Sequence, residues 1–364
     1  MNKIKAFLAR KGVVCSFRQY GVDALGAMAQ GLFCTLLVGT ILNTLGQQLH
    51  IGFLTAPVVS VGTVSYTVGG LASAMVGPGI AVAIGTALHC PPLVLFSLIP
   101  VGFAANAMGG AGSPLAVYAV TIIAAELGKL VSKETRIDIL VTPCVTVIAG
   151  IAVAQLIAAP IGTAARAVGL AIMWATELQP FFMGVLVSAL IGIALTLPIS
   201  SAAICAAFGL TGLAGGAAVA GCCAQMVGFA VMSFKENRWG GLVAQGVGTS
   251  MLQMPNILKN PRTWIPPTLA SMITGPLATC VFKLQMNGSP VSSGMGTCGF
   301  VGQIGVYTGW VSDIAAGTKA AITPMDWIGL VLICFILPAV LSTLFCRVLE
   351  KRGWIREGDM KLDL

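Results

Sequence analysis

Hydrophobic positions in this chain come in long unbroken blocks, without the regular polar interruptions of a water-facing helix or strand. No Asp, Glu, Lys or Arg occurs between Asp23 and Glu126, nor from Leu178 to Phe234. A charge at the bilayer centre costs about 2.5–3.5 kcal/mol on insertion scales, so charge-free blocks of this length predict membrane spans. They fall at 25–45, 57–76, 79–88, 93–105, 114–131, 137–161, 182–197, 212–231, 241–252, 265–282, 299–310 and 327–346. The pieces 79–88, 93–105 and 241–252 are too short to cross a core of roughly 30 Å at about 1.5 Å per residue. Short apolar pieces separated by Gly and Pro predict half-helices and re-entrant hairpins, which are tolerated where they line a cavity. The pattern as a whole predicts an all-α polytopic membrane protein of about ten transmembrane helices with re-entrant hairpins.

Composition sharpens this. Only 9% of residues are charged and 57% are hydrophobic, against about 25% charged in a soluble domain, which excludes a soluble multidomain enzyme. The 45 glycines and 18 prolines sit inside the apolar blocks, where small residues let helices approach closely. The eleven cysteines show no zinc-type spacing, so neither a metal nor a cofactor is expected. No G-x-x-x-x-G-K-[ST] loop is present, which argues against ATP-driven transport by this chain.

The net charge of +8 does not point to nucleic acid, because its carriers lie at chain ends and in loops. Lys3, Lys5, Arg10, Lys11 and Arg18 precede the first span; Lys129, Lys133 and Arg136 mark a central loop; Lys235 with Arg238 and Lys259 with Arg262 mark two more. Arg347, Lys351, Arg352 and Arg356 follow the last span. By the positive-inside rule both termini are expected in the cytoplasm, in a multi-pass protein of the cell membrane. Residues 1–24 read as a basic amphipathic segment lying on the inner leaflet. Residues 347–364 read as a cytoplasmic tail. Trp264, Trp310, Trp327 and Trp354 stand near segment ends, as interfacial anchors do.

Several blocks resemble, in order, the membrane-spanning IIC component of the bacterial sugar phosphotransferase system, in its fructose-type branch. RIDILVTPCVTVIAGIAVAQLIAAPIGTAARAV from Arg136 and PFFMGVLVSALIGIALTLPISSAAICAAFG from Pro180 resemble two of its helices. GTSMLQMPNILKNPRTWIP from Gly248 keeps the spacing of its G-I-T-E-G-A-I-P-F-A-A-A-D-P-L-R-V-I-P segment, with Pro255, Pro261 and Pro266 in register. NGSPVSSGMG from Asn287 stands where the family has A-P-H-G-G, and GTALHCPPL from Gly85 and GGAGSPLAVY from Gly109 resemble upstream turns. The resemblance covers roughly Met28 to Cys346. The ionisable groups of the pattern are replaced: Met251 stands at its Glu, Asn260 at its Asp, Val291 and Ser292 at its His, Ser200-Ser201 at its Asn-Lys, and Thr196 at the leading Asp. The chain is therefore similar to a variant branch that includes regulator-like members.

The resemblance implies a dimer scaffold over 25–133, a substrate-binding half over 134–346, a homodimer, and soluble IIA and IIB partners. Such a permease translocates a sugar for phosphorylation by the separate IIB protein. The chain is at most the membrane subunit of a protein-N(pi)-phosphohistidine–sugar phosphotransferase, without a catalytic phosphorylation site. Two rival readings stand beside it: a membrane sensor or regulator that kept the fold without transport, and a non-phosphorylating transporter of another small solute.

A sugar site needs hydrogen-bonding side chains converging in a protein-lined cavity. Gln253, Asn256 and Asn260 flank prolines in the expected hairpin, where buried polar groups are costly unless paired. Ser200 and Ser201 follow Pro198 in a helix break, and either face solute or bond back to helix carbonyls. Asn287, Ser289 and Ser292 lie in a Gly-rich turn that either binds solute or is a solvated loop. Lys259 and Arg262 either dock a phosphate-bearing partner or serve only as positive-inside residues. His89 beside Cys90-Pro91-Pro92, and His50, read as structural or solvent-side.

Overall fold

The computed structural model describes residues 7, 8, 10–13 and 16–362. Lys3, Lys5 and the other residues of 1–6, with 9, 14 and 15, of the expected amphipathic segment lie outside them. The chain divides into two compact units, Met1–Ala164 and Ala165–Leu364. The boundary between these units falls inside one 39-residue helix, Asp138–Thr176.

In the first unit, α1 spans Arg18–Gln47 and is long and apolar enough to cross a membrane. Residues 18–24 thus belong to this helix. The next expected span, 57–76, does not form as one. Val59–Val61 (β1) and Val64–Tyr66 (β2) pair as an antiparallel hairpin with Val61 opposite Val64, turning at Gly62 with φ +61°. The run V-S-V-G-T-V-S-Y has the period-2 alternation of a strand, with β-branched residues around a turn; its apolar content alone suggested a span. Helices α2 (Val68–Ala74) and α3 (Val76–Ala87) follow, bent 54° to one another at Met75.

Helices α4 (Pro92–Gly109) and α5 (Ser113–Val131) form a hairpin. Gly110, at φ 52° and ψ −129°, supplies a conformation that side-chain-bearing residues rarely adopt. The hairpin closes so tightly that a Cβ on Gly128 would stand 2.8 Å from Val94. The first stretch of α6 (Asp138–Thr176) packs on this pair, with Gly150 against Val101 and Ala124. The charged loop is therefore a turn inside the first unit.

Basic residues collect at one end of this unit. Arg10 and Lys11 both pair with Glu134, the former at 3.0 Å, and hold its carboxyl below the ordinary range, the Lys11 hydrogen bond contributing most. Buried Lys129 pairs with Glu126 at 2.9 Å and donates to the carbonyls of Gly12 and Leu88. In the neighbouring turn, burial pushes the Cys90 thiol up to about 11, with Glu126 adding to the rise and Lys129 opposing it. Only the thiolate reacts with maleimides, and the free thiol ordinarily titrates near ~8.5. In a variant with Cys90 as sole cysteine, the labelling rate should keep climbing roughly tenfold per pH unit from pH 7 to 10. A plateau by pH 9 would show an ordinary thiol.

In the second unit, α8 (Gly212–Met232) is the central element, buried along most of its length. It is surrounded by α7 (Pro180–Thr196), α10 (Ile265–Pro276) and α12 (Pro324–Lys351). Between α8 and α10 the chain breaks repeatedly, through a tight turn at Ser250–Gln253, the short helix α9 (Met254–Lys259) and a second tight turn at Pro261–Trp264. Pro255, Pro261 and Pro266 each take a first-turn position, where a missing N–H costs nothing and continuation of the preceding helix is blocked. Thr249 and Asn260 cap the pieces, accepting from the backbone N–H of Met251 and Arg262. After α10 an extended stretch exchanges two backbone hydrogen bonds with Gly212 through Met286, and α11 (Val301–Ala315) leads to α12.

By length and apolarity, five helices among the described residues can cross a membrane: α1, the α4–α5 run counted once, α6, α8 and α12. The bent α2–α3 pair makes six. The remaining apolar sequence lies in shorter helices, broken segments and the β-hairpin. The architecture is that of a helical, multi-pass membrane protein.

Candidate functional site

The polar groups of the second unit gather along the middle of α8. Gln225 is the sole Asn, Gln or charged residue of that helix, and it is fully buried. Its Oε1 accepts from Trp264 Nε1 at 3.0 Å and from Thr196 Oγ1 at 3.4 Å, and its Nε2 donates to Thr268 Oγ1 at 3.2 Å. Thr196 also bonds Ser250 at 2.8 Å. One amide thus ties together α7, α8, the Ser250 turn and the start of α10. Met251, next to Ser250, is buried, so the position where the resemblance has Glu carries a neutral side chain inside the protein.

On another side of the same stretch of α8, Gln303 donates to Cys223 Sγ at 3.2 Å and Thr297 to Met226 Sδ at 3.5 Å. Gln303 Oε1 and Ser342 Oγ are the buried side-chain oxygens of this unit without a hydrogen-bond partner among the described residues. An unpaired buried acceptor is expensive, and the free carbonyl of Gln303 suits a hydroxyl from a bound solute.

The sequence-predicted residues separate into three places. Ser200 caps the short helix Ser201–Ala207, accepting from Ala203 N at 3.2 Å. Ser201 donates to the carbonyl of Gly294 at 2.7 Å, and Ser292 is buried against Gly305. These two tie the Gly-rich 292–296 loop into the unit, with Ser293 bonding the Leu210 carbonyl at 2.6 Å. Ser289 is exposed. Asn287 accepts from Gly212 N and donates to both Asp313 oxygens, at 3.1 and 2.9 Å. It lines a cavity of about 480 Å³ with Phe282, Lys283, Gln285, Trp310 and Asp313.

Gln253, Asn256 and Asn260 form the third place. Gln253 donates to Gln245 Oε1 at 2.8 Å and accepts from Asn256 at 2.9 Å, while Gln245 in turn donates to Ser233. The remaining donors of this chain of amides go to the C-terminal segment: Gln253 to the Met360 carbonyl at 3.0 Å, Asn256 to that of Lys361 at 2.8 Å and Asn260 to that of Trp354 at 2.9 Å. Asn260 also donates to Asp359 at 2.7 Å. Lys259 is exposed, and the Arg262 guanidinium lies 5.1 Å over the Trp354 ring. The 12 residues of α10 and the 5 of its continuation to Val281, about 25 Å at ~1.5 Å per residue, separate this place from the Asn287 cavity.

Gln225, Gln245 and Gln303 are absent from the sequence-derived set. Their signal was available, since each is an amide standing alone in an apolar stretch, and intramembrane polar residues mark functional positions. Among the described residues no group of three or more His, Cys, Asp or Glu side chains converges to hold a metal ion. Compared with known proteins, residues 22–362 match a family model described as phosphotransferase system, EIIC. No curated protein and no solved structure matches the chain.

Proposed function

We propose, from the premise that the chain belongs to the EIIC family of the phosphotransferase system, that it binds its sugar in the second unit, beside the middle of α8 at Gln303. Membership makes it a sugar-permease component of a multi-pass kind and implies a sugar substrate with soluble IIA and IIB partners. The observation that supports this location is the unpartnered Oε1 of Gln303, buried beside the middle of α8. Transporter sites of the broken-helix type lie near the bilayer midplane, where irregular backbone lines a cavity, and α8 is flanked by such irregular segments. Ser201, Ser292 and the Thr196–Ser250 pair border the same stretch. The Asn287 cavity serves as a second polar face on the route, and Gln253, Asn256 and Asn260 lie toward the cytoplasmic mouth.

The basic residues around Glu134 in the first unit, and around Arg262 and Arg347–Arg356 in the second, favour a cytoplasmic side for both termini. The first unit then serves as the scaffold of a homodimer, and IIB approaches the side of Lys259 and Arg262. The neutral Met251 and Asn260, at positions where the fructose-type pattern carries carboxylates, favour one second reading: a regulator-like member that binds sugar and does not move it.

Uptake of labelled sugars, in cells with and without the general phosphotransferase proteins, separates these. Phosphorylated intracellular product that depends on those proteins is expected. Unmodified product would indicate a phosphorylation-independent transporter, and binding without uptake a sensor. For the site itself, Gln303→Leu should raise the KM, or the Kd of a sensor, about five- to tenfold, as for loss of one neutral hydrogen bond. Ser342→Ala, at the other unpartnered oxygen, should leave it unchanged. Equal behaviour of the two variants would remove Gln303 from the site.

A further inference from the structure

At one end of the first unit lies a basic cavity of about 490 Å³, lined by Arg10, Lys11, Lys129, Ser132, Lys133 and Glu134. Its cations come from the segment before α1, the last turn of α5 and the turn joining α5 to α6. Two of them are engaged. Lys129 is held by Glu126 and by the Gly12 and Leu88 carbonyls. Lys11 is held by Glu134 and by the Ser132 carbonyl at 2.5 Å. The other two stay open. Arg10 shares Glu134 with Lys11, and its side chain is 66% exposed. The Lys133 ammonium is exposed and makes no hydrogen bond or ion pair among the described residues. Asp138, in the first turn of α6, accepts from the Lys133 backbone N–H at 2.7 Å and from the Thr142 hydroxyl at 2.6 Å. With Arg136 in the same turn, the cations Arg10, Lys11, Lys129, Lys133 and Arg136 outnumber the carboxylates Glu126, Glu134 and Asp138. The place therefore calls for an anion.

Two further observations say which kind. Lys133 sits at φ +61°, a left-handed conformation that suits Gly or Asn. The backbone gains nothing from lysine there, so the reason for it lies in the side chain. The cavity also stands where one membrane-length run ends, at Val131, and the next begins, at Asp138, which puts it at the level of lipid headgroups. From the same turn, Ile137, Leu140, Cys144 and Ile148 are all exposed. Their spacing of three and four residues sets them on one face of α6, an apolar track leading away from the cations. A free phosphate has no use for that track, whereas acyl chains do.

We infer that this cavity binds the phosphate of an anionic phospholipid, with Arg10 and Lys133 as its direct ligands and the acyl chains laid along the exposed face of α6. A phosphodiester accepts charge-assisted hydrogen bonds from a guanidinium and an ammonium together, and basic pockets between membrane helices bind such headgroups. A zwitterionic lipid carries its own cation and is the poorer ligand. The bound lipid braces the segment before α1 against the α5–α6 turn.

Native mass spectrometry of the detergent-purified full-length chain, titrated with palmitoyl-oleoyl phosphatidylglycerol or phosphatidylcholine, tests this. The native chain should bind the first at least tenfold more tightly. Lys133→Gln, which breaks no side-chain contact, should cut that preference about fivefold. Arg10→Gln/Lys133→Gln should bring it within about twofold of none. Lys351→Gln/Arg352→Gln removes the same charge from exposed positions at the end of α12 and should keep the full preference. A native chain that does not discriminate the two lipids, a preference that survives in the double variant, or one lost equally in the α12 control overturns the site. Millimolar inorganic phosphate should leave phosphatidylglycerol bound. Displacement by it would make the cavity a site for soluble phosphate and overturn the lipid assignment.

Discussion

Gly221→Val should leave little folded protein. Gly221 lies in α8, where an added Cβ would stand 1.9 Å from the carbonyl oxygen of Ser188 in α7. That neighbour is backbone, so no side-chain rotation relieves the overlap. Ser188 is itself fixed, its hydroxyl donating to the Ser271 carbonyl of α10 at 2.7 Å. Relief requires α7 and α8 to separate, which strips contacts along α8 and pulls Gln225 from its partners. Inside a bilayer the exposed helix faces gain lipid contacts as apolar as those they lose, so close packing and hydrogen bonds are what hold the pair together. Overpacking a tight site costs about 1–3 kcal/mol, occasionally more, and a backbone-on-backbone overlap belongs at the upper end. The monodisperse fraction after detergent extraction should fall several-fold, and the thermal midpoint of what remains should drop. Gly246→Ala is the matched control, since its Cβ would meet only Ala230 at 3.5 Å, an ordinary contact. A Gly221→Val protein as monodisperse and heat-resistant as native would refute the packing argument.

The same contacts show why some features were legible in the sequence and others were not. Charge-free blocks announce a membrane protein because the penalty for burying charge in lipid acts on single residues, wherever they fold. Pro255, Pro261 and Pro266 announce breaks because proline acts on its own backbone. The hairpin at 59–66 was hidden, because a hydropathy average cannot tell a period of two from a helical run when the polar partners are Ser and Thr. Gln253, Asn256 and Asn260 stand out in the sequence as polar residues beside prolines, and in the structure all three bond the C-terminal segment. Their partners were not foreseen, since they are carbonyl oxygens and N–H groups of residues about a hundred positions away, which every sequence contains. For the same reason the sequence shows residues 347–364 only as a cytoplasmic tail. Ser201 illustrates the converse: neither sequence alternative, solute or helix carbonyl of its own turn, anticipated a bond to Gly294 across the unit.

Gln225 is where a neutral side chain carries the polar organisation of the second unit, and its replacement should have the largest functional consequence. Gln225→Met keeps length and removes both hydrogen-bonding ends. Thr196 retains Ser250 at 2.8 Å and Thr268 retains the Trp264 carbonyl at 2.8 Å, so the main orphan is the Trp264 indole N–H. One orphaned buried donor costs about 1–3 kcal/mol. Because it frees the turn that positions Ser250 and α10, uptake should fall at least tenfold while the protein still extracts as a folded species. Gln225→Glu is nearly isosteric and can still accept from Trp264 and Thr196, yet it loses the donation to Thr268 and sets a carboxylate in a fully buried position without a cation. Burying an unpaired charge costs more than losing a neutral hydrogen bond. The order of residual uptake should therefore be native, then Met, then Glu, even though Glu resembles Gln more closely in shape. If Glu instead outperforms Met, shape rather than neutral hydrogen bonding governs this position, and the network is packing rather than part of the site.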